Sequence, residues 1–247
     1  MASVNPLDFH GKIALVVGGS SGIGNGIAQA FRGAGAEVHV WGTRPTAADY
    51  SGESGSDLVG LHYSHVDVGV PDEIDGWRPP FERLDVLVLS QGVVMYKKAE
   101  FELENFRKVV EVNLTSVMAC ATKFKPLLKD AQGSIVIVNS TAAYHSTVGN
   151  PAYNASKTGA LGLTRTLGQA WAREGIRVNG IAPGFVATKL TRTTTEHPER
   201  SADALRAIPL GRFGAPDEMG QVALFLASSM ASYVVGQTLT VDGGLKL

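Results

Sequence analysis

The sequence has a single cysteine among 247 residues, Cys120, so no intrachain disulfide can form. That suits a reducing compartment, and a cytoplasmic location is expected. Neither sign of charge dominates: 22 Lys and Arg stand against 23 Asp and Glu, a net charge of -1. Such a balance leaves no electrostatic footprint for nucleic acid or an anionic membrane surface. No apolar run approaches the ~18 residues of a membrane span. Residues 1–10 lack the basic and apolar regions of an export signal. The six histidines and the cysteine show no metal-ligand spacing, so no metal is expected.

What is present is a regular alternation. Short runs rich in Val and Ile, at residues 12–17, 37–41, 84–89, 134–139 and 176–182, read as strands, with weaker candidates at 59–66 and 237–241. Nearly continuous hydrophobicity marks parallel strands covered on both faces. Helical patterns fall between them, at 23–34, 103–129, 154–173 and 217–227. The order implies right-handed crossovers and an open, three-layer, doubly wound α/β sheet. A chain of this size buries roughly 70–75% of its unfolded surface, and a single domain over residues 1–247 is expected. Three stretches break the pattern. Residues 45–57 are small and polar, and residues 70–82 carry Pro71, Gly76, Pro79 and Pro80, which a full crossover helix would not tolerate. Residues 189–207 lack a strong apolar stripe and are expected to form a mobile flap.

The first strand runs into Gly18-Gly19-Ser20-Ser21-Gly22-Ile23-Gly24, which opens a helix. Gly18 permits a tight turn, Gly22 a close approach of backbone to ligand, and Gly24 close packing of helix on sheet; the helix N-terminus offers free N–H groups to a pyrophosphate. The alternative is a glycine-rich loop with no ligand. The second strand ends in Trp41-Gly42-Thr43-Arg44, without the carboxylate that grips a ribose 2′-OH. Arg44 suits a 2′-phosphate, which favours NADP over NAD; the alternative is an Arg44 facing solvent. Asp67, beside Val68, is placed to accept from an adenine amino group or to cap a turn. Tyr153 and Lys157 stand at i and i+4, on one helix face. A nearby ammonium lowers a tyrosine pKa from ~10, which suits acid–base work near neutrality. Ser140 ends the fifth strand, on the side where open α/β sheets bind ligands.

Together with Asn113 in Val112-Asn113-Leu114 and with Pro183-Gly184, these motifs resemble the short-chain dehydrogenase/reductase family over nearly the whole chain. The resemblance implies seven parallel strands of order 3-2-1-4-5-6-7. It also implies an NAD(P)-dependent oxidoreductase moving a hydride between the nicotinamide and a carbonyl or secondary alcohol of a small molecule. Tyr153 is then the proton donor or acceptor, Lys157 holds the nicotinamide ribose and keeps the Tyr153 pKa down, and Ser140 grips the substrate oxygen. Asn113 anchors a proton-relay water, or else is a buried helix asparagine. Thr188 holds the carboxamide, with Val186 giving backbone contact, or caps a helix. The remaining implied cofactor contacts are Ser20, Ser21, Ile23, Gly42, Thr43, Ser90, Gln91, Gly92, Pro183 and Gly184. Gln91 stands where the family has alanine and is expected to reach the adenosine ribose. Ser21 and Thr43 stand where NADP-dependent members often carry basic residues. A 3-oxoacyl-carrier-protein reductase is the competing enzyme reading, and a catalytically silent NAD(P)-binding regulator the remaining one. His145 reads as a polar handle for substrate or as a solvent-facing loop residue. A homotetramer or homodimer is implied, built on the two long helices through Val109, Val112, Ser116, Ala119, Leu161, Thr164 and Leu167, unless those faces pack internally.

Overall fold

The computed structural model describes residues 5–247; residues 1–4, part of the stretch read above for an export signal, lie outside it. Seven strands form one sheet: β1 (Ile13–Val17), β2 (Glu37–Gly42), β3 (His62–His65), β4 (Val86–Leu89), β5 (Ser134–Val138), β6 (Arg177–Pro183) and β7 (Thr238–Val241). All pairings are parallel, in the order β3-β2-β1-β4-β5-β6-β7 expected from the resemblance. Successive side chains of a strand face opposite layers. Leu15 and Val17 therefore enter one buried cluster while Ala14 and Val16 enter the other.

Helices cover both faces: α1 (Gly22–Gly33), α2 (Pro71–Gly76), α3 (Leu103–Val110), α4 (Ser116–Ala131), α5 (Pro151–Trp171), α6 (Arg192–Thr195), α7 (Pro198–Ala207) and α8 (Pro216–Ala227). The order reverses beside β1, between β1 and β4, and the carboxyl ends of both strands open there into a crevice.

Four details depart from the sequence reading or sharpen it. The helix expected over 103–129 is interrupted by a π turn, Glu111–Thr115, which joins α3 to α4 and contains Asn113. The crossover over 70–82 shrinks to α2, as its prolines require, and Trp77 takes the place of the missing turns. The Trp77 ring packs 5.0 Å from Trp41 and 6.0 Å from Phe124, closing that face with aromatic area. Residues 189–207 are not irregular: they hold a 3-10 turn, α6 and α7, the last opened by Pro198 at its first position. Only Ala204 of those elements is buried. Finally, Val109, Val112, Ser116, Leu161, Thr164 and Leu167 are all buried within the single chain, so they are not free to face a second copy. Among the described residues, no helix is long and apolar enough to cross a membrane.

Because Trp77 substitutes for a helix, Trp77→Ala should destabilise the fold by about 2–4 kcal/mol in urea titration, through a cavity beside Trp41 and Phe124. Dinucleotide affinity should stay within twofold, since Trp77 does not line the crevice.

Candidate active site

The crevice is a cavity of about 500 Å³, within the range of small-molecule sites. Every residue singled out above for cofactor or catalysis lines it except Arg44 and Asn113. Its floor is the turn after β1. Gly18 is left-handed, with φ +75°, and a Cβ there would sit 2.9 Å from the Gln91 backbone. A Cβ on Gly24 would lie 2.2 Å from the Gly18 carbonyl oxygen. Only glycine allows this approach of β1, β4 and α1. Ser21, the residue before α1, makes no side-chain cap, so the amino end of the helix faces the crevice without one. One of its donors is engaged: Gly22 N–H bonds the Gly55 carbonyl at 2.8 Å, bringing residues 51–57 against the turn.

This cradle fits a dinucleotide phosphate, and the walls keep polar groups for its other parts. Trp41 Nε1 and Asn139 Oδ1 are buried without partners, and both residues line the crevice. Asp67 accepts from Gly69 N–H at 2.8 Å and retains a free oxygen edge. Gln91 does not reach outward as expected. Its Nε2 donates to Ser116 Oγ at 3.0 Å, anchoring it to α4. Thr188 starts a 3-10 turn, its N–H bonded to Thr191 Oγ1 at 3.1 Å, and still lines the crevice.

Ser140 follows β5, and its Oγ accepts from Ala142 N–H at 3.1 Å. Tyr153 and Lys157 lie one turn apart on α5, with Lys157 Nζ 5.8 Å from the Tyr153 ring centre. Lys157 is 5% exposed and its Nζ donates to the Val138 carbonyl at 2.9 Å. Burial draws the Lys157 pKa down to about 8. The sequence argument had the ammonium pulling the Tyr153 phenol down; the structure reverses the sign. Loss of solvation pushes the phenol up, the Ser140 hydroxyl opposes this, and Tyr96 and Glu100 add to the rise.

Asn113, fully buried in the π turn, sits beneath rather than in the crevice. Its Oδ1 accepts from Val93 N–H at 2.8 Å, and its Nδ2 donates to Val93 O at 2.9 Å and to Ser156 Oγ at 3.2 Å. Both of its amide hydrogens and one acceptor site of its oxygen tie the loop after β4 to α5. The π turn supplies the extra residue that aims it inward.

Arg44 departs from expectation in placement. Its guanidinium lies over the Tyr50 ring, 4.4 Å from the centroid, and pairs with Glu53 Oε2 at 2.5 Å. It does not line the crevice, and its side chain keeps partial contact with solvent. Lys189, at the start of the flap, meets the same Glu53 carboxylate. His145 is exposed. Sequence reasoning missed Glu53, Tyr50, Trp41, Asn139 and the buried Glu100, none of which belongs to a recognisable local pattern. It also missed a grouping at the far end of the sheet. Parallel pairing sets His39 beside His62, and with Glu37 their ligand atoms lie within 4.8 Å of one another.

A crevice built in this way is that of a dinucleotide-binding α/β enzyme. Residues 17–246 match the family model described as Enoyl-(Acyl carrier protein) reductase. The chain is 36% identical to the 3-oxoacyl-(acyl-carrier-protein) reductase FabG of Chlamydia pneumoniae, over 95% of this chain and 97% of the relative. It is 38% identical to the 2-dehydro-3-deoxy-D-gluconate 5-dehydrogenase of Bacillus subtilis, over 96% and 95%. Among solved structures it superposes on a gluconate 5-dehydrogenase from Burkholderia cenocepacia in complex with NADP and tartrate. The TM-score is 0.85 at 29% identity, covering 98% of each chain. The chain belongs to the short-chain dehydrogenase/reductase family and is an NAD(P)-dependent oxidoreductase acting on CH–OH and C=O groups.

Removing the desolvated ammonium tests the electrostatics. Between pH about 8 and 10.5 the folded chain binds fewer protons at Lys157 than the unfolded chain does, so wild-type stability rises through that window. At pH 7, Lys157→Met should therefore be more stable than wild type by on the order of 1–3 kcal/mol, less what the orphaned Val138 carbonyl costs. The gap in denaturant titrations should close by pH ~10.5.

Proposed function

We propose that Tyr153, Lys157 and Ser140 form the catalytic set and that the chain reduces the carbonyl, or oxidises the alcohol, of a small uncharged molecule with NADP as the preferred partner. One observation carries this reading: a buried Lys157, the half-buried Tyr153 one turn before it and a serine hydroxyl share a single crevice with the glycine cradle. The cradle and α1 would hold the pyrophosphate, with Ser20, Ser21, Gly22, Ile23 and Gly24 around it. Gly42, Thr43, Asp67, Val68 and Ser90 would flank the adenosine, and Gly92, Tyr153, Lys157, Pro183, Gly184, Val186 and Thr188 the nicotinamide half. When bound, the nicotinamide supplies or accepts the hydride.

The protein supplies the proton and the grip. A phenol held in its protonated form by burial gives its proton to the carbonyl oxygen as negative charge develops there. Ser140 Oγ has its acceptor side occupied by Ala142 N–H, which leaves its own hydrogen for the same oxygen. Lys157, fixed on the Val138 carbonyl, keeps its remaining N–H bonds for the tyrosine and the ribose.

Apolar walls support a small neutral substrate. Val93 and Leu190 line the crevice, and Tyr96 O–H bonds the Leu190 carbonyl at 2.6 Å across its mouth. The competing 3-oxoacyl-carrier-protein reductase reading needs a free basic surface for an acidic carrier. Here Arg192 pairs with Glu196, Arg206 with Asp203 and Arg212 with Glu218, which weakens that surface. NADP is favoured because β2 ends without a carboxylate and Arg44 stands next to its end, within reach once Glu53 yields it. A homotetramer or homodimer, a cytoplasmic location, a single domain over residues 1–247 and a flap at 189–207 complete the reading.

With a panel of ketones and alcohols, Tyr153→Phe should lower turnover by about 10²–10⁴-fold while NADPH still binds; unchanged turnover overturns the assignment. In fluorescence titrations Arg44→Ala should weaken NADPH at least tenfold and NADH less than twofold. Equal effects on both would refute the 2′-phosphate role.

A further inference from the structure

Glu100 is a carboxylate with 0% exposure and no cation among its recorded partners. Burying such a charge is costly unless hydrogen bonds replace its water. Here they do, and they come from three different segments. Oε1 accepts from Met95 N–H at 3.0 Å and from Asn150 Nδ2 at 3.3 Å, and Oε2 accepts from Tyr153 N–H at 2.9 Å. Met95 belongs to the loop after β4, Asn150 is the residue before α5, and Tyr153 is the third residue of α5.

The third position is where an N-cap side chain normally bonds a helix N–H. Asn150, which occupies the cap position, makes no such bond; its amide nitrogen donates to Met95 O at 3.0 Å and to Glu100 Oε1. The cap is thus supplied from another part of the chain. A negative charge at this end of α5 also has the favourable sign for the helix dipole. The backbone is bent to deliver it: Lys97 and Lys98 are both left-handed, with φ 60° and 61°. Two successive non-glycine residues in that region are a strained arrangement that persists only where the surroundings demand it.

We propose that Glu100 is a positioning residue for Tyr153: it fixes the backbone of the tyrosine against the loop after β4, and so holds the phenol at one depth in the crevice. The proposal rests on the reading of Tyr153 as proton donor. Its charge has a second consequence. The groups facing the phenol are Tyr96 from the loop after β4, Glu100, Ser140 from the end of β5 and Lys157 from α5 itself. Of these Glu100 brings the negative charge, which favours the protonated phenol and therefore proton donation.

The test compares Glu100→Gln, Glu100→Asp and Tyr153→Phe with wild type, using NADPH and the ketone of the panel that is reduced fastest. A misplaced phenol should lower kcat by about 10- to 100-fold in Glu100→Gln, with KM for the ketone changed less than threefold and NADPH affinity unchanged. The alkaline limb of the kcat/KM profile should move to lower pH in Glu100→Gln, where the charge is gone. It should stay in place in Glu100→Asp, which keeps the charge but falls short of Tyr153 N–H and should share the kcat loss. A tyrosinate difference-absorbance titration, taken against Tyr153→Phe, reads the same shift without substrate. If Gln at this buried site prevents folding, the kcat loss in Glu100→Asp alone decides. Wild-type kcat in folded Glu100 variants, with Tyr153→Phe inactive, overturns the role of Glu100 and leaves the site intact. An active Tyr153→Phe instead removes the reading on which the proposal stands.

Discussion

A buried lysine and a half-buried tyrosine one helical turn before it set the terms for the rest of this molecule. In water neither would be perturbed; in the crevice each loses solvation, and desolvation always opposes the charged form. The ammonium is drawn down to about 8 and the phenol is pushed up. The shifts run in opposite directions and separate two groups whose ordinary values nearly coincide, so the phenol keeps its proton where the ammonium begins to lose one. The Val138 carbonyl is the compensation that keeps the ammonium tolerable there. That carbonyl belongs to the last residue of β5, so the ion's position is set by the sheet register and not by a loop.

From that requirement the neighbouring architecture follows. A Cβ on Gly92 would come 3.6 Å from Lys157 Nζ and 3.7 Å from Asn113 Oδ1, so the loop after β4 lies directly over both. Asn113 holds that loop through both the N–H and the carbonyl of Val93, and Glu100 holds its far end at Met95. Two buried polar side chains therefore fix one short loop to α5, one on each side of Tyr153. Buried polar groups of this kind are stabilising only when fully paired. Asn113 and Glu100 have three recorded partners each.

What could be read from the chain was whatever repeats locally. Strand hydrophobicity, the glycines after β1, the proline-broken crossover and the i, i+4 pair on α5 all lie within a few residues, and each appears where it was expected. Glu100 sits in Lys97-Lys98-Ala99-Glu100, which reads as a solvated charged turn; only folding shows that the backbone turns left-handed and carries the carboxylate inside. The π turn left no trace because Val112-Asn113-Leu114 continues the helical pattern on either side. The Tyr153 shift was misjudged for a related reason: spacing reports that a lysine is near, but not how much solvation each group loses. The flap was underestimated because exposed helices carry no apolar stripe to detect.

Cofactor discrimination shows the same limit in sharper form. The end of β2 lacks a carboxylate, and by the local rule that admits a 2′-phosphate. Yet Glu53, eleven residues after Gly42, returns a carboxylate to that neighbourhood and takes Arg44 for itself. With side-chain exposures of 37% for Arg44 and 18% for Glu53, the pair is screened only in part, so exchanging Glu53 for a phosphate carries a real electrostatic term. A doubly charged phosphate competes well against one carboxylate for a guanidinium, whereas a ribose hydroxyl competes poorly. Under the reading proposed above, a 2′-phosphate would have to displace Glu53 to reach Arg44, and Lys189 meets the same carboxylate, so the chemistry at the end of β2 depends on a loop and a flap residue that its own sequence does not contain.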